Sequence, residues 1–108
     1  MVKNVLSPNF AGKFIHSENI GKELETKGYK NTTPILDYLE KMKKFVENKL
    51  PDGDTVEFKV IPDDSRIDGV LNQTTKDKRI AYFIDSLKIN VDSLKKALKD
   101  ITGKDIDD

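Results

Sequence analysis

The chain has no cysteine, one histidine and, among its 19 basic residues, only two arginines. Without cysteine it cannot form a disulfide, use a thiolate nucleophile or bind zinc through sulfur. A histidine-based metal site or a Ser-His-Asp triad would have to use His16, whose immediate neighbours supply nothing diagnostic. Because arginine is the preferred residue for bidentate contacts to bases and phosphates, its scarcity weighs against sequence-specific reading of DNA.

The chain also lacks a net charge and a long apolar run. Its 19 acidic and 19 basic residues cancel, which removes the general attraction of a basic protein for nucleic acid or an anionic membrane. No stretch approaches the ~18 apolar residues of a transmembrane helix, and the N-terminal region has no continuous apolar segment typical of a signal peptide. We therefore expect a cytoplasmic protein with no membrane partner. The abundance of lysine, asparagine, isoleucine and aspartate suggests a low-GC bacterium or one of its phages.

What remains is enough for one small domain. A chain of 108 residues, with 36% hydrophobic and 35% charged residues, predicts a modest core and a heavily solvated surface. Residues 1–16 are expected to form an N-terminal arm, residues 17–103 a single domain, and residues 104–108 an acidic tail.

The clearest periodic segment predicts a helix over residues 35–49. Thr33 can cap this helix, Pro34 can occupy its first position, where the missing N–H has no cost, and Pro51 with Gly53 ends it. Apolar residues recur at steps of three and four, as on the buried face of an amphipathic helix: Ile35, Leu39, Met42 and Val46.

Two further helices are predicted. A short one is expected over residues 18–27, with Ser17 as N-cap and Gly28 after its end, and the last helix follows Asn90 and ends at Gly103. Since two heptads are too few for a coiled coil to stand alone, we favour packing of the last helix on its own sheet over a coiled-coil seam. Packing on the sheet would use the apolar stripe of Val91, Leu94, Leu98 and Ile101, and a coiled-coil seam would add Leu87 to these residues.

Three strands are predicted between the helices. Residues 56–60 alternate between apolar and polar, and residues 66–72 contain Gly69, which indicates a bulge or a close backbone approach. Residues 80–84 have Ile80, Tyr82 and Ile84 on one face but also Ala81 and Phe83 on the other. Such a strand either lies at the centre of a sheet covered on both sides or turns its second face to a partner.

The element order α-α-β-β-β-α predicts a single small α+β domain, in which the helices pack on one face of a three-stranded antiparallel sheet. No motif for chemistry is complete. Residues 64–69 resemble the start of a calcium loop, but Arg66 is in its third position and Thr75 in its twelfth. The carboxylates of Asp63, Asp64 and Asp68 are expected to be solvated in a turn. We therefore expect no enzyme, no cofactor and no bound metal.

The loop before the third strand contains the candidate partner-binding residues Lys76, Lys78 and Arg79, with Tyr82 close by in sequence. Two interpretations remain open. The three cations can act as gatekeepers that stop the apolar strand from pairing with another chain, or they can bind a partner.

We expect a non-enzymatic protein–protein interaction module, such as a regulator, inhibitor or assembly factor, that presents a sheet face or a loop to another protein. A second copy of the chain, meeting the first through the sheet or the last helix, is one candidate partner. The alternative is a nucleic-acid-binding protein in which Lys76, Lys78 and Arg79 neutralise phosphates and Tyr82 stacks on a base.

Overall fold

A computed structural model describes residues 10–106 of the chain. Residues 1–9 of the predicted arm and residues 107–108 of the predicted tail lie outside this part. Within it the fold is α+β, as expected, with three helices and one four-stranded sheet. The elements are, in order, β1 (Lys13–Ile15), α1 (Ile20–Thr26), α2 (Thr33–Lys49), β2 (Thr55–Val60), β3 (Ile67–Thr74), β4 (Arg79–Asp85) and α3 (Val91–Thr102).

The sheet is mixed and has the strand order β1-β2-β3-β4, so the prediction of a three-stranded antiparallel sheet is wrong. The additional strand is β1, which pairs parallel to β2 with Phe14 opposite Val56. Residues 13–15 lie in the segment predicted as an arm. A strand of three residues with a single buried position is too short to show an alternating pattern, and its partner lies about 40 residues further along the chain.

Gly12 lets β1 approach the end of α2. Its N–H donates to the Leu50 carbonyl at 3.1 Å. A Cβ atom at this position would lie 2.7 Å from the Val46 carbonyl oxygen, which is closer than van der Waals contact allows. The missing side chain of Gly12 therefore permits the contact that fixes β1 beside the helix.

The strands β2, β3 and β4 form the predicted antiparallel meander. Both expectations for Gly69 are confirmed. The register of β3 shifts between Ile67 and Gly69, which is the expected bulge. A Cβ atom on Gly69 would lie 3.2 Å from the Lys59 carbonyl oxygen and 3.0 Å from Ile89 Cδ1, so the backbone approach is also close.

All three predicted helices are present, with small corrections at their N-termini. The N-cap of α2 is Thr32, one residue before the predicted Thr33, and the N-cap of α1 is Asn19 instead of Ser17. The cap of α3 is confirmed, because the Asn90 side chain accepts a hydrogen bond from Ser93 N–H at 2.8 Å.

The core lies between the helices and one face of the sheet. Leu39 and Met42 of α2, Leu94 and Leu98 of α3, and Leu24 of α1 are buried in one cluster with strand side chains such as Phe58. In the predicted seam of the last helix, Leu87 does not continue the stripe: it precedes α3, is 67% exposed and has a left-handed φ of 61°. The helix therefore packs on its own sheet.

None of the helices in residues 10–106 is long and apolar enough to cross a membrane. The expected location of the protein in the cytoplasm stays a prediction.

Candidate functional site

One face of the sheet is left uncovered by the helices, and we call it the open face. Side chains alternate between the two faces along each strand, so the pairing of the strands shows which residues belong to the open face. All of them are at least partly exposed except Val70. The open face consists of Lys13, Ile15, Thr55, Glu57, Lys59, Val70, Asn72, Thr74, Arg79, Ala81, Phe83 and Asp85.

Phe83 is the largest apolar side chain on the open face and is 57% exposed. Val70 of β3 lies opposite Phe83 of β4 on one side and opposite Lys59 of β2 on the other, and it is only 6% exposed. Phe83 and Val70, together with Ile61, line a shallow depression of about 400 Å³. We call these three residues the Phe83 patch.

An exposed phenylalanine forgoes a large part of the ~1.5–3 kcal/mol that burial of such a side chain contributes. Single exposed apolar residues are common on protein surfaces, but an aromatic residue beside an apolar depression is more typical of an interface. The sequence leaves two alternatives for the second face of this strand, which is either covered within the fold or turned to a partner. No element of the described residues covers Phe83, so the structure does not support the first alternative.

The position of β4 in the sheet differs from one sequence expectation. The central position that the sequence predicts as one alternative is wrong, because among residues 10–106 β4 lies at the edge of the sheet and pairs only with β3. The other alternative, a partner on its second face, stays a prediction. Within residues 10–106 no strand occupies its outer side. Apolar residues on both faces indicate surface available for burial, but strand order depends on which chain segments meet in three dimensions.

The loop between β3 and β4 is a tight hairpin turn from Thr75 to Lys78. Thr75 N–H donates to the Lys78 carbonyl at 2.9 Å, and Thr75 Oγ1 accepts from Lys78 N–H at 3.2 Å and from Asp77 N–H at 3.3 Å. The turn is held by Thr75 and the backbone, so its geometry does not require the two lysines.

The candidate partner-binding residues divide into two groups. Lys76, Lys78 and Arg79 are all exposed at the hairpin end of the sheet, with Arg79 on the open face. Tyr82 is opposite Leu71 on the helix-covered face and is partly buried against the core. The structure brings the three cations together and places Tyr82 on the opposite face from Arg79.

Sequence reasoning missed a buried polar cluster around Asp68. The expectation that Asp68 is solvated is wrong, because Asp68 is only 1% exposed. Asp68 Oδ2 accepts hydrogen bonds from Tyr29 Oη at 2.7 Å and from Leu87 N–H at 2.8 Å, while Oδ1 lies 3.2 Å from Lys27 Nζ. We call these residues the Asp68 cluster. Its one sequence signal was an acid inside a strand, next to the glycine that marks the bulge.

The protonation states in the Asp68 cluster favour a structural role. Burial by itself would raise the pKa of Asp68, but hydrogen bonds from Leu87 N–H, Tyr29 and Lys27 outweigh it and hold this pKa below its ordinary value. Burial, together with the hydrogen bond to Asp68, raises the pKa of Tyr29 to about 12. At neutral pH the carboxylate is therefore charged, the phenol is protonated, and neither group is poised for proton transfer.

The remaining polar candidates have local roles. His16 Nδ1 lies 2.8 Å from the Ser17 carbonyl oxygen, and its ring packs edge-on against Phe14. Asp64 accepts from Arg66 N–H at 2.8 Å, and this hydrogen bond is the main cause of a lowered pKa. Across residues 10–106, no three histidine or carboxylate side chains gather in the manner of metal ligands.

Comparison of the chain with protein-family models, with curated proteins and with solved structures finds no match. Function must therefore be inferred from the surface itself, above all from the open face and from the outer side of β4.

Proposed function

We propose that this protein is a non-enzymatic interaction module, a regulator, inhibitor or assembly factor, that binds another protein through the open face of its sheet. The observation that supports this proposal most directly is Phe83, which is 57% exposed on a sheet face without a covering helix. Aromatic side chains at the centre of an apolar patch contribute a large share of the energy of protein interfaces.

The surroundings of the Phe83 patch support a protein partner. Lys59 and Asn72 border the depression, and Glu57 and Arg79 lie further out on the same face. An apolar centre with a polar rim of both signs is the usual composition of a protein–protein interface. A partner that covers Phe83 would gain apolar burial and could pair with charges at the rim.

Photo-crosslinking tests the proposal. A photoreactive phenylalanine analogue at position 83 should cross-link to a protein in the native host, whereas the same analogue at Glu47, exposed on α2, should not. Phe83→Ser should then weaken binding of the purified partner by at least about tenfold, which corresponds to ~1.4 kcal/mol. Equal cross-linking at both positions, or binding that Phe83→Ser leaves unchanged, would refute the proposal.

A nucleic-acid function is the second candidate, since Lys76, Lys78 and Arg79 form an exposed cationic group at the hairpin end of the sheet. Base stacking on Tyr82 is not favoured by its place on the helix-covered face, so phosphate contacts would have to supply the affinity.

Fluorescence anisotropy of a labelled single-stranded oligonucleotide separates the two candidates. Phosphate-driven binding should weaken steeply with added salt and should be lost when Lys76, Lys78 and Arg79 are all changed to Glu. An anisotropy that does not rise at low salt would eliminate the nucleic-acid candidate and leave the open-face proposal intact.

A further inference from the structure

Within residues 10–106 the outer side of β4 faces no other strand, and the backbone groups directed to that side can be derived from the pairing with β3. Thr75 N–H donates to Lys78, and Ser86 N–H donates to the Arg66 carbonyl at 2.8 Å. Because hydrogen-bonded and non-hydrogen-bonded pairs alternate in an antiparallel ladder, even-numbered residues of β4 bond to β3. The odd-numbered residues direct their N–H and C=O groups to the outer side: Arg79, Ala81, Phe83 and Asp85. Among these groups, the Asp85 carbonyl already accepts a hydrogen bond from Lys88 N–H at 3.0 Å.

This edge has few of the features that protect edge strands from self-association. β4 is seven residues long, contains neither proline nor glycine, and the bulge in its pairing lies on β3. Its only charged residues are Arg79 and Asp85, which stand at opposite ends. A gatekeeper that prevents self-pairing would have to repel the copy of itself that it meets.

The sequence of β4 is complementary to itself when two copies run antiparallel with Tyr82 opposite Tyr82. In that register Arg79 of each copy is opposite Asp85 of the other, so both ends form pairs of opposite charge. Ala81 is opposite Phe83, which sets a small side chain beside a large one on the open face. Ile80 is opposite Ile84 on the helix-covered face.

The backbone agrees with this register. The outward-directed residues are the odd-numbered ones, and the register pairs odd with odd, so the outward N–H and C=O groups of the two edges meet. The Asp85 carbonyl accepts from Lys88 N–H within its own chain, so it would accept Arg79 N–H of the other copy as a second hydrogen bond. A shift by one residue would set outward groups against inward ones. A shift by two would restore the backbone pairing but set Arg79 opposite Phe83 or opposite Leu87, and both ion pairs would be lost.

We propose that two copies of the chain associate through β4, antiparallel and centred on Tyr82, to form one continuous sheet with four strands from each copy. Ile80 and Tyr82, only partly buried at the edge, become covered by the second copy, and the two Phe83 patches lie side by side on one enlarged open face. This goes beyond the proposed function, because it concerns the edge of the sheet and not a partner on its face.

Charge exchange between the strand ends tests the register. Sedimentation velocity should show a dimer of the wild-type chain at about 100 µM. Arg79→Asp or Asp85→Arg alone creates two like-charge pairs and should raise the dissociation constant by about tenfold or more. The double variant, and an equimolar mixture of the two single variants, restore opposite charges at both ends and should recover the dimer.

Matched controls separate the edge from general charge effects. Lys76→Asp and Asp77→Arg make the same charge changes at exposed turn positions outside β4 and should leave the dimer intact. Ala81→Pro removes an outward N–H without removing a hydrogen bond to β3. This variant should be folded by circular dichroism and monomeric by sedimentation velocity.

Three results would overturn the proposal: a wild-type monomer up to ~1 mM, a dimer that neither single variant weakens, or single-variant losses that neither the double variant nor the mixture recovers. The photo-crosslinking of Phe83 to a partner is a separate measurement. A monomeric wild type that still cross-links through Phe83 would reject the dimer and retain the open-face function.

Discussion

Asp68 connects three parts of the fold through one carboxylate. Lys27 and Tyr29 follow α1, Asp68 lies at the bulge of β3, and Leu87 lies in the connection from β4 to α3. Tyr29 Oη also accepts from Ile89 N–H at 3.0 Å, which extends the cluster to the start of the last helix. A satisfied buried network of this kind specifies how the elements join.

Asp68→Asn should lower the free energy of unfolding by about 2–4 kcal/mol, because it leaves the largely buried Lys27 ammonium without its counter-ion. Urea unfolding measures the loss. Asp63→Asn, at an exposed position in the connection from β2 to β3, is the matched control and should cost less than ~0.5 kcal/mol. Equal effects of the two substitutions would contradict the structural role of the cluster.

The same variant should alter the acid dependence of stability. The folded-state pKa of Asp68 is lowered, so its contribution is present above the ordinary aspartate pKa of about 3.9 and is lost as the pH falls through the folded-state value. Wild-type stability should therefore decline below about pH 4 more steeply than that of Asp68→Asn. Parallel curves for the two proteins would show that Asp68 is not the group responsible.

Tyr29 gives the opposite, alkaline dependence. Its folded-state pKa of about 12 lies above its ordinary value of 10.0, so its contribution is complete below the ordinary value and is lost as the pH rises toward the folded-state value. Between pH 10 and 12, wild-type stability should decline more than that of Tyr29→Phe. Thermal melts of both proteins across this range provide the measurement, and curves that remain parallel would contradict the assigned shift.

At the scale of elements, β1 depends on a contact that its own sequence does not reveal. It joins the sheet because Gly12 passes against the last turn of α2, where a side chain would collide with the Val46 carbonyl. The parallel pairing with β2 follows from that approach.

Gly12→Ala should therefore destabilise the fold by about 1–3 kcal/mol and increase the hydrogen-exchange rate of β1 amides. Gly21→Ala is the matched control, because its Cβ would lie 3.5 Å from Leu36 Cδ1, an ordinary contact, and alanine favours the helix in which Gly21 lies. It should be neutral or stabilising. If the two substitutions had equal effects, the close approach at Gly12 would not be what positions β1.

At the scale of the whole molecule, residues 10–106 give the sheet one face for the core, one open face and an edge at β4 whose outer side faces no other strand. The proposed dimer predicts how backbone protection changes with concentration. Amides of Ala81, Phe83 and Asp85 should exchange fast in dilute protein and slow at high concentration, whereas those of Ile80, Tyr82 and Ile84 should be slow in both, since they bond to β3. Exchange that is independent of concentration at all six amides would contradict edge pairing.

Much of the local structure follows from the sequence by itself. The step of three and four in Ile35, Leu39, Met42 and Val46 determines a helix with one apolar face, and all four side chains are buried. The cap at Asn90, the glycine at position 103 and the bulge at Gly69 were also predicted correctly, because each depends on the backbone preferences of a residue and its near neighbours. The apolar character of Ala81 and Phe83 pointed in the same way to a strand with two apolar faces.

Tertiary structure alone decided the rest, because it depends on which distant segments meet. The pairing of β1 with β2 joins residues about 40 positions apart, and the burial of Asp68 depends on partners at positions 27, 29 and 87. The separation of Tyr82 from Arg79 depends on which face of β4 the helices cover. Periodicity predicts which residues share a face of a strand. Only the packed chain determines that the face of Phe83 is open and that β4 lies at an edge. The reason is that burial is a property of the assembled sheet and not of the single strand.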